Sequence, residues 1–172
     1  MTGVDTVDLV LALALLVACY TDLDRGLIPN AVTLPLVAAG VMLHALNGDP
    51  AVGLLGMGIG FALHYMLWFL GVVKGGDAKL MIGVGAVLGW QGLIEATLWE
   101  FVLFLPLGIT LLAVRGRLRA FGAHLRWLAL KARGVDLPAP TAVTYVVYAP
   151  IITGAVVAAR LTDWFDLFGS GS

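Results

Sequence analysis

The chain has 172 residues, of which 60% are hydrophobic and 12% are charged, and its formal net charge is -1 at pH 7. Because an average soluble domain is about 45–50% apolar and about 25% charged, this composition excludes an ordinary soluble domain and predicts an integral membrane protein. The small net charge gives no reason to expect a nucleic-acid partner.

Six apolar runs predict an all-α, polytopic membrane protein with about six transmembrane helices, since about 20 apolar residues cross a bilayer. The runs cover Val4–Thr21, Ala31–Leu46, Ala51–Val73, Ala78–Trp90, Gly92–Val114 and Thr141–Leu161. No Lys or Arg precedes the first run, which is therefore interpreted as a retained helix rather than a signal peptide. In the third run, Gly56 and Gly60 have the small-xxx-small spacing that favours close helix packing.

The distribution of charge predicts the orientation of the chain in the membrane. Nine of the ten Lys and Arg residues lie in or beside the connections that follow runs one, three and five. Seven acidic residues are predicted to lie on the opposite side: Asp5, Asp8, Asp49, Glu95, Glu100, Asp163 and Asp166. Because cytoplasmic loops carry excess Lys and Arg, we expect both termini to lie outside the cytoplasm.

The basic connection of residues 115–134 contains apolar side chains between its charges. This pattern predicts a cytoplasmic amphipathic helix that lies on the anionic inner leaflet. A solvated loop that obeys the positive-inside rule is the alternative.

Metal-binding patterns do not occur in the sequence. The single cysteine, Cys19, lies inside an apolar run and is interpreted as a small buried hydrophobic residue. The histidines His44, His64 and His124 share no ligand spacing and are interpreted as structural or interfacial. We therefore expect neither a metal nor a cofactor.

The stretch Lys74–Lys79 places a carboxylate and two amines beside paired glycines and between apolar runs. Charged groups are unfavourable near a bilayer, so the stretch is a candidate functional site centred on Asp77. Gly75 and Gly76 would leave the backbone accessible to a substrate strand. Lys79 is a candidate for tuning the charge of Asp77.

The predicted topology brings a second carboxylate, Asp22, to the side that carries Asp77. Two neighbouring carboxylates do not easily both ionise, so one can accept a proton from water while the other stays protonated and polarises a carbonyl. Pro29 would set a rigid turn before the next helix, and Asn30 could help to cap that helix.

Other functions fit the same residues. Asp77 and Lys79 could form the polar pathway of a transporter, channel or assembly subunit, and a purely structural membrane partner would also tolerate boundary acids. Asp24 and Arg25 could be an ordinary interfacial pair.

Two motifs resemble those of the type IV prepilin peptidase family, which are membrane aspartyl proteases of the GxGD class. The first is Asp22 followed by Ile28-Pro29-Asn30, and the second is Gly75-Gly76-Asp77-Ala78-Lys79. The spacing to Ile28 favours Asp22 over Asp24 as the family's first aspartate. Lys74 stands where the family motif usually has a glycine. Tyr148-Ala149-Pro150-Ile151 also resembles the family's final span.

The resemblance implies that Asp22 and Asp77 are catalytic. It implies that six further residues shape the site: Ile28, Pro29, Asn30, Gly75, Gly76 and Lys79. The substrate would be a prepilin-like protein whose short basic leader is removed at the cytoplasmic face of the cytoplasmic membrane, typically after a glycine.

The resemblance is to the short form of the family, as in tight-adherence pilus and archaeal preflagellin peptidases. The paired Cys-x-x-Cys motifs of bifunctional members do not occur in this sequence, so cleavage without N-methylation is expected. Residues 1–168 are predicted to form one membrane-embedded domain, and residues 169–172 are interpreted as a linker. No oligomeric state follows from the sequence.

Overall fold

The computed structural model describes residues 5–69, 73–114, 116, 118–135, 137–138 and 148–162. Within these ranges the chain forms six α-helices and no strand. The helices are α1 (Thr6–Arg25), α2 (Asn30–Leu46), α3 (Pro50–Phe69), α4 (Gly75–Val114), α5 (Leu118–Ala132) and α6 (Ala149–Thr162). The all-α class is therefore confirmed for the described residues.

By length and composition, three of these helical segments could cross a membrane: Thr6–Arg25, Pro50–Phe69 and Gly75–Leu107, the last of which is interrupted at Gly89. Two shorter helices, Asn30–Leu46 and Ala149–Thr162, are also apolar. The count of about six spans stays a prediction. Residues 141–147 of the predicted sixth run, together with residues 163–172, lie outside the described residues.

Contacts divide the chain into two units. The first comprises Met1–Phe101 and Val147–Ser172, and therefore holds α1, α2, α3, α6 and the larger part of α4. The second comprises Val102–Val146 and holds the end of α4 together with α5.

Helix α4 is broken at Gly89, whose φ of 73° and ψ of -178° are not helical. This left-handed φ favours glycine, which has no Cβ to clash. A Cβ on Gly85 would lie 3.0 Å from Leu93 Cδ2, although eight residues of straight helix rise about 12 Å. The chain therefore folds back at Gly89, next to the boundary predicted between the fourth and fifth runs.

The first half of α4 forms the centre of the first unit, where Leu80, Met81 and Val84 are fully buried. Glycines on α2 and α3 allow their backbones to approach it closely: a Cβ on Gly40 would lie 2.5 Å from the Ala86 carbonyl carbon. Small residues allow such approach between helices in lipid, where van der Waals contact supplies much of the attraction. The packing role predicted for Gly56 is confirmed, since it meets the backbone of Gly85.

Gly56→Ala is expected to destabilise the protein by about 1–3 kcal/mol, the usual range for overpacking. The added Cβ would overlap the Gly85 carbonyl oxygen and lie 2.7 Å from the Gly89 carbonyl carbon. Thermal unfolding in detergent micelles measures the change. Gly58→Ala is the matched control, because no described atom beyond its chain neighbours and its own helix lies within 4 Å of its Cβ position. Equal unfolding midpoints for the two variants would contradict the packing described here.

Helix α5 confirms the helix predicted within the basic connection. Arg119 and Arg126 are exposed. The Trp127 indole donates to the Leu137 carbonyl at 2.9 Å, and the Lys131 ammonium lies 4.7 Å from the Trp127 ring centre. The position of α5 on the inner leaflet stays a prediction.

Candidate aspartate site

Asp22 lies in the last turn of α1, which continues four residues beyond the predicted end of the first run. The helix ends at Gly26, whose φ is 66° and whose N–H donates to the Asp22 carbonyl at 2.9 Å. This left-handed glycine is a common helix terminator. The Asp22 side chain points inward and is fully buried, whereas Asp24 is about half exposed and bonds to Arg25 at 3.2 Å.

The Asp22 carboxylate is held by three donors. Its Oδ2 accepts the backbone N–H groups of Tyr148 at 2.8 Å and Ala149 at 3.1 Å, at the start of α6. Its Oδ1 accepts the Lys74 ammonium at 3.4 Å. Amide groups at a helix N-terminus have no partner within the helix and favour a negative charge. Asp22 therefore lies in a site built to hold a carboxylate.

Asp77 is the third residue of α4 and is also buried, with 2% of its surface exposed. Its Oδ2 accepts the backbone N–H of Lys74 at 3.2 Å. An acidic side chain at this helical position commonly reaches back to the residue before the helix. Its other oxygen, Oδ1, is buried and has no hydrogen-bond partner in the described part of the chain. One oxygen is thus fixed by the backbone, and the other has unused hydrogen-bonding capacity within the described residues.

Lys74 connects the two aspartates. Its backbone N–H bonds to Asp77, while its ammonium bonds to Asp22 and, at 3.0 Å, to the Gly26 carbonyl. The prediction that Lys79 is the cationic neighbour is wrong, because its exposed ammonium bonds to Asn30 Oδ1 at 2.9 Å. The lysine that replaces the family's glycine contacts the aspartates instead.

The two sequence motifs meet where Gly76 packs against Ile28. A Cβ on Gly76 would lie 3.2 Å from both the Cβ and the backbone nitrogen of Ile28. On Gly75, a Cβ would lie 3.4 Å from the Trp68 indole nitrogen, which is ordinary contact distance. The absence of a side chain at Gly76 therefore allows α4 to begin directly beside the residues that precede α2.

Pro29 precedes the first residue of α2, as the sequence predicts, and its φ of -73° and ψ of 150° are extended. The capping role considered for Asn30 is wrong. Asn30 is the first residue inside the helix, no side chain caps it, and its amide oxygen accepts Lys79. Asn30 instead ties the start of α2 to α4.

A second buried polar cluster adjoins Asp22. The Tyr148 hydroxyl donates to Glu100 Oε1 at 2.7 Å, and Glu100 Oε2 lies 3.1 Å from His64 Nε2. The charge pattern predicts that Glu100 lies on the side opposite the aspartates, and this prediction is wrong. The fold-back at Gly89 brings Glu100 to Tyr148, whose backbone N–H donates to Asp22.

The sequence contains a signal for this cluster that the charge pattern obscures. His64 and Glu100 are ionisable residues inside apolar runs, and such residues usually face a functional interior. Their pairing depends on the break at Gly89. In the described ranges, no three His, Cys, Asp or Glu side chains are arranged to hold one metal ion.

Apolar helices that surround two neighbouring, buried aspartates define a helical membrane protein with a carboxylate-pair site. Residues 9–109 match the model of the type IV leader peptidase family. The chain belongs to this family, as its two motifs predict.

Similar proteins in bacteria and archaea have names that agree with this family. The chain is 31% identical over 138 residues to a prepilin leader peptidase/N-methyltransferase of Aeromonas hydrophila, covering 71% of this chain and 48% of the relative. Over 87 residues it is 37% identical to prepilin peptidase EppA of Methanothermobacter thermautotrophicus, covering 46% and 22%. A prepilin leader peptidase/N-methyltransferase of Klebsiella pneumoniae is 33% identical over 99 residues, covering 52% and 43%. The chain thus spans half or less of these relatives' lengths, and no solved structure matches it.

Proposed function

We propose that this protein is an aspartic endopeptidase that removes the short basic leader of prepilin-like proteins. The observation that carries the proposal is the burial of Asp22 and Asp77 on either side of one connecting residue, Lys74. Membership in the type IV leader peptidase family and the names of its relatives support the substrate class.

The contacts suggest different roles for the two aspartates. Asp22 accepts two backbone N–H groups and an ammonium, so its anionic form is well stabilised. Asp77 receives one backbone N–H, and its Oδ1 has no described partner. We assign Asp22 as the base that takes a proton from the attacking water. Asp77 is the acid that protonates the carbonyl oxygen of the scissile peptide.

The same division completes the hydrolysis. Water adds to the carbonyl carbon as Asp22 accepts its proton and Asp77 gives its own to the carbonyl oxygen. The tetrahedral intermediate then collapses: the C–N bond breaks, Asp22 returns a proton to the leaving nitrogen, and Asp77 recovers its proton. Neither aspartate forms a covalent bond with the substrate.

The reaction is testable with a synthetic peptide that has a basic leader ending in glycine and an apolar helix after it. With the purified protein in proteoliposomes, we expect cleavage after the glycine, detected by mass spectrometry. The rate is expected to be unchanged by EDTA, because the proposed proton transfers need only the two carboxyl groups. Cleavage inside the apolar helix, or activity lost with EDTA and restored by zinc, would contradict the mechanism.

The reaction is proposed to stop at cleavage, without N-methylation. Mass analysis of the product after incubation with S-adenosylmethionine is expected to show an unmodified N-terminus. An added mass of one methyl group, dependent on this cofactor, would contradict the prediction.

The site is proposed to face the cytoplasm, with both chain termini on the other side of the cytoplasmic membrane. Arg25 and Asp49 are exposed near opposite ends of α2 and suit a labelling test. In a Cys19→Ser background, Arg25→Cys is expected to be protected from an impermeant thiol reagent in intact cells, whereas Asp49→Cys reacts. The reverse labelling pattern would contradict the orientation.

The transporter alternative required Asp77 and Lys79 to share a polar pathway. Asp77 is buried and bonded to Lys74, whereas Lys79 is exposed and bonded to Asn30. The described contacts therefore favour the peptidase.

A further inference from the structure

We propose that Tyr148, Glu100 and His64 are positioning residues for the peptidase reaction and that they fix the orientation of Asp22. The inference rests on the proposed function and deepens it. None of the three belongs to the two sequence motifs, and they act from outside the pair of aspartates.

A continuous series of hydrogen bonds carries the inference. The Tyr148 backbone N–H donates to Asp22 Oδ2 at 2.8 Å, and the Tyr148 hydroxyl donates to Glu100 Oε1 at 2.7 Å. Glu100 Oε2 then pairs with His64 Nε2 at 3.1 Å. The backbone bond from Tyr148 holds the Asp22 carboxylate. The bonds through Glu100 and His64 hold Tyr148 in place.

All three side chains of this series are buried, so their hydrogen bonds do not compete with bulk water. Tyr148 is 4% exposed, and Glu100 and His64 are each 1% exposed. Replacing buried, hydrogen-bonded polar groups by apolar groups of the same shape is often nearly neutral for stability or even stabilising. A tyrosine, a glutamate and a histidine joined in one buried series are therefore better explained by geometry than by stability.

The position of Tyr148 explains what the series controls. Tyr148 immediately precedes α6, and its N–H and that of Ala149 both point at Asp22 Oδ2. The bond between the ring hydroxyl and Glu100 restrains rotation of this first turn. Glu100 is itself restrained by His64, a residue of α3. Loss of the series would leave Asp22 buried but less precisely oriented.

The test compares Tyr148→Phe, Glu100→Leu and Glu100→Gln in the peptide cleavage assay. Tyr148→Phe and Glu100→Leu are expected to lower kcat by about 10- to 100-fold, the effect of a small misplacement of a reacting group, with KM changed less than about twofold. Glu100→Gln keeps an acceptor for the Tyr148 hydroxyl and is expected to retain kcat within about threefold, the context-dependent spread of such contacts. The double variant Tyr148→Phe/Glu100→Leu is expected to be no slower than the slower single variant, because both remove the same restraint.

Thr162→Val is the matched control. It removes another bond between α4 and α6, in which the Trp99 indole donates to the Thr162 hydroxyl at 2.9 Å. Its kcat is expected to match that of the unsubstituted protein. A loss of kcat in Thr162→Val equal to that in Tyr148→Phe would show a general packing effect and overturn the proposal.

Two results separate this inference from the proposed function. Inactive Asp22→Asn and Asp77→Asn with an unchanged kcat in folded Tyr148→Phe would overturn the positioning role alone. Cleavage by either aspartate variant would overturn the peptidase assignment itself. Tyr148→Phe preserves the aromatic ring, so the test remains decisive if Glu100→Leu does not fold.

Discussion

Asp22→Asn and Asp77→Asn are each expected to lower the cleavage rate by about 10³-fold or more, within the range that general acid–base groups contribute. Asparagine at position 22 cannot accept the proton of the attacking water. At position 77 it cannot supply an acidic proton to the carbonyl oxygen. Either change removes one half of the proposed proton transfer.

Both variants are expected to stay folded and inserted, because an amide oxygen can replace one carboxylate oxygen. In Asp22→Asn that oxygen can still accept the N–H groups of Tyr148 and Ala149. In Asp77→Asn it can still accept the N–H of Lys74. Thermal unfolding and membrane fractionation check this expectation alongside the cleavage assay.

Asp24→Asn is the matched control for the aspartate variants. Asp24 lies two residues from Asp22 on the same helix, but its side chain is 52% exposed and paired with Arg25. We expect its cleavage rate to be unchanged within about twofold, as for most surface substitutions. Retained cleavage in Asp22→Asn or loss of cleavage in Asp24→Asn would refute the assignment of the first aspartate.

Gly76→Ala is expected to lower kcat by about 10-fold, since a displacement of about 1 Å can cost a reaction 10²-fold and this one is smaller. The new Cβ would lie 3.2 Å from the Ile28 backbone nitrogen and 3.3 Å from its carbonyl oxygen. Ile28 precedes Pro29, which restricts how its backbone can move. The start of α4 would therefore shift, and Asp77 would shift with it.

Gly75→Ala separates this steric effect from a general change in the glycine pair. Among the described residues beyond its chain neighbours and its own helix, its Cβ would meet only the Trp68 side chain within 4 Å, at ordinary contact distances. We expect kcat and the unfolding midpoint to stay close to those of the unsubstituted protein. Equal losses of kcat in Gly75→Ala and Gly76→Ala would show that contact with Ile28 is not what positions Asp77.

The sequence is sufficient to predict the all-α membrane class and, through its two motifs, the family. Long apolar runs indicate burial in lipid, and a motif of two glycines beside an aspartate can be recognised from consecutive residues alone. Burial of Asp22 and exposure of Asp24 agree with the choice that motif spacing favours. The peptidase roles of Asp22 and Asp77 remain proposals.

Contacts between residues far apart in the chain could not be predicted from sequence and depend on how the helices pack. Lys74 rather than Lys79 contacts the aspartates. Lys74 immediately precedes α4 and its ammonium reaches Asp22, whereas Lys79 lies inside the helix and its ammonium reaches Asn30. Glu100 accepts a hydrogen bond from the Tyr148 hydroxyl, beside Asp22, because the chain folds back at Gly89.

The stretch Lys74–Lys79 is predictable from sequence in its polarity but not in its contacts. Hydropathy and local motifs depend on neighbours along the chain, so the sequence is enough to show that this stretch carries polar groups between apolar helices. Partner choice depends on how the helices pack and where their ends meet. The structure alone therefore decided that Lys74 links Asp22 to Asp77 and that Gly76 admits Ile28 beside them.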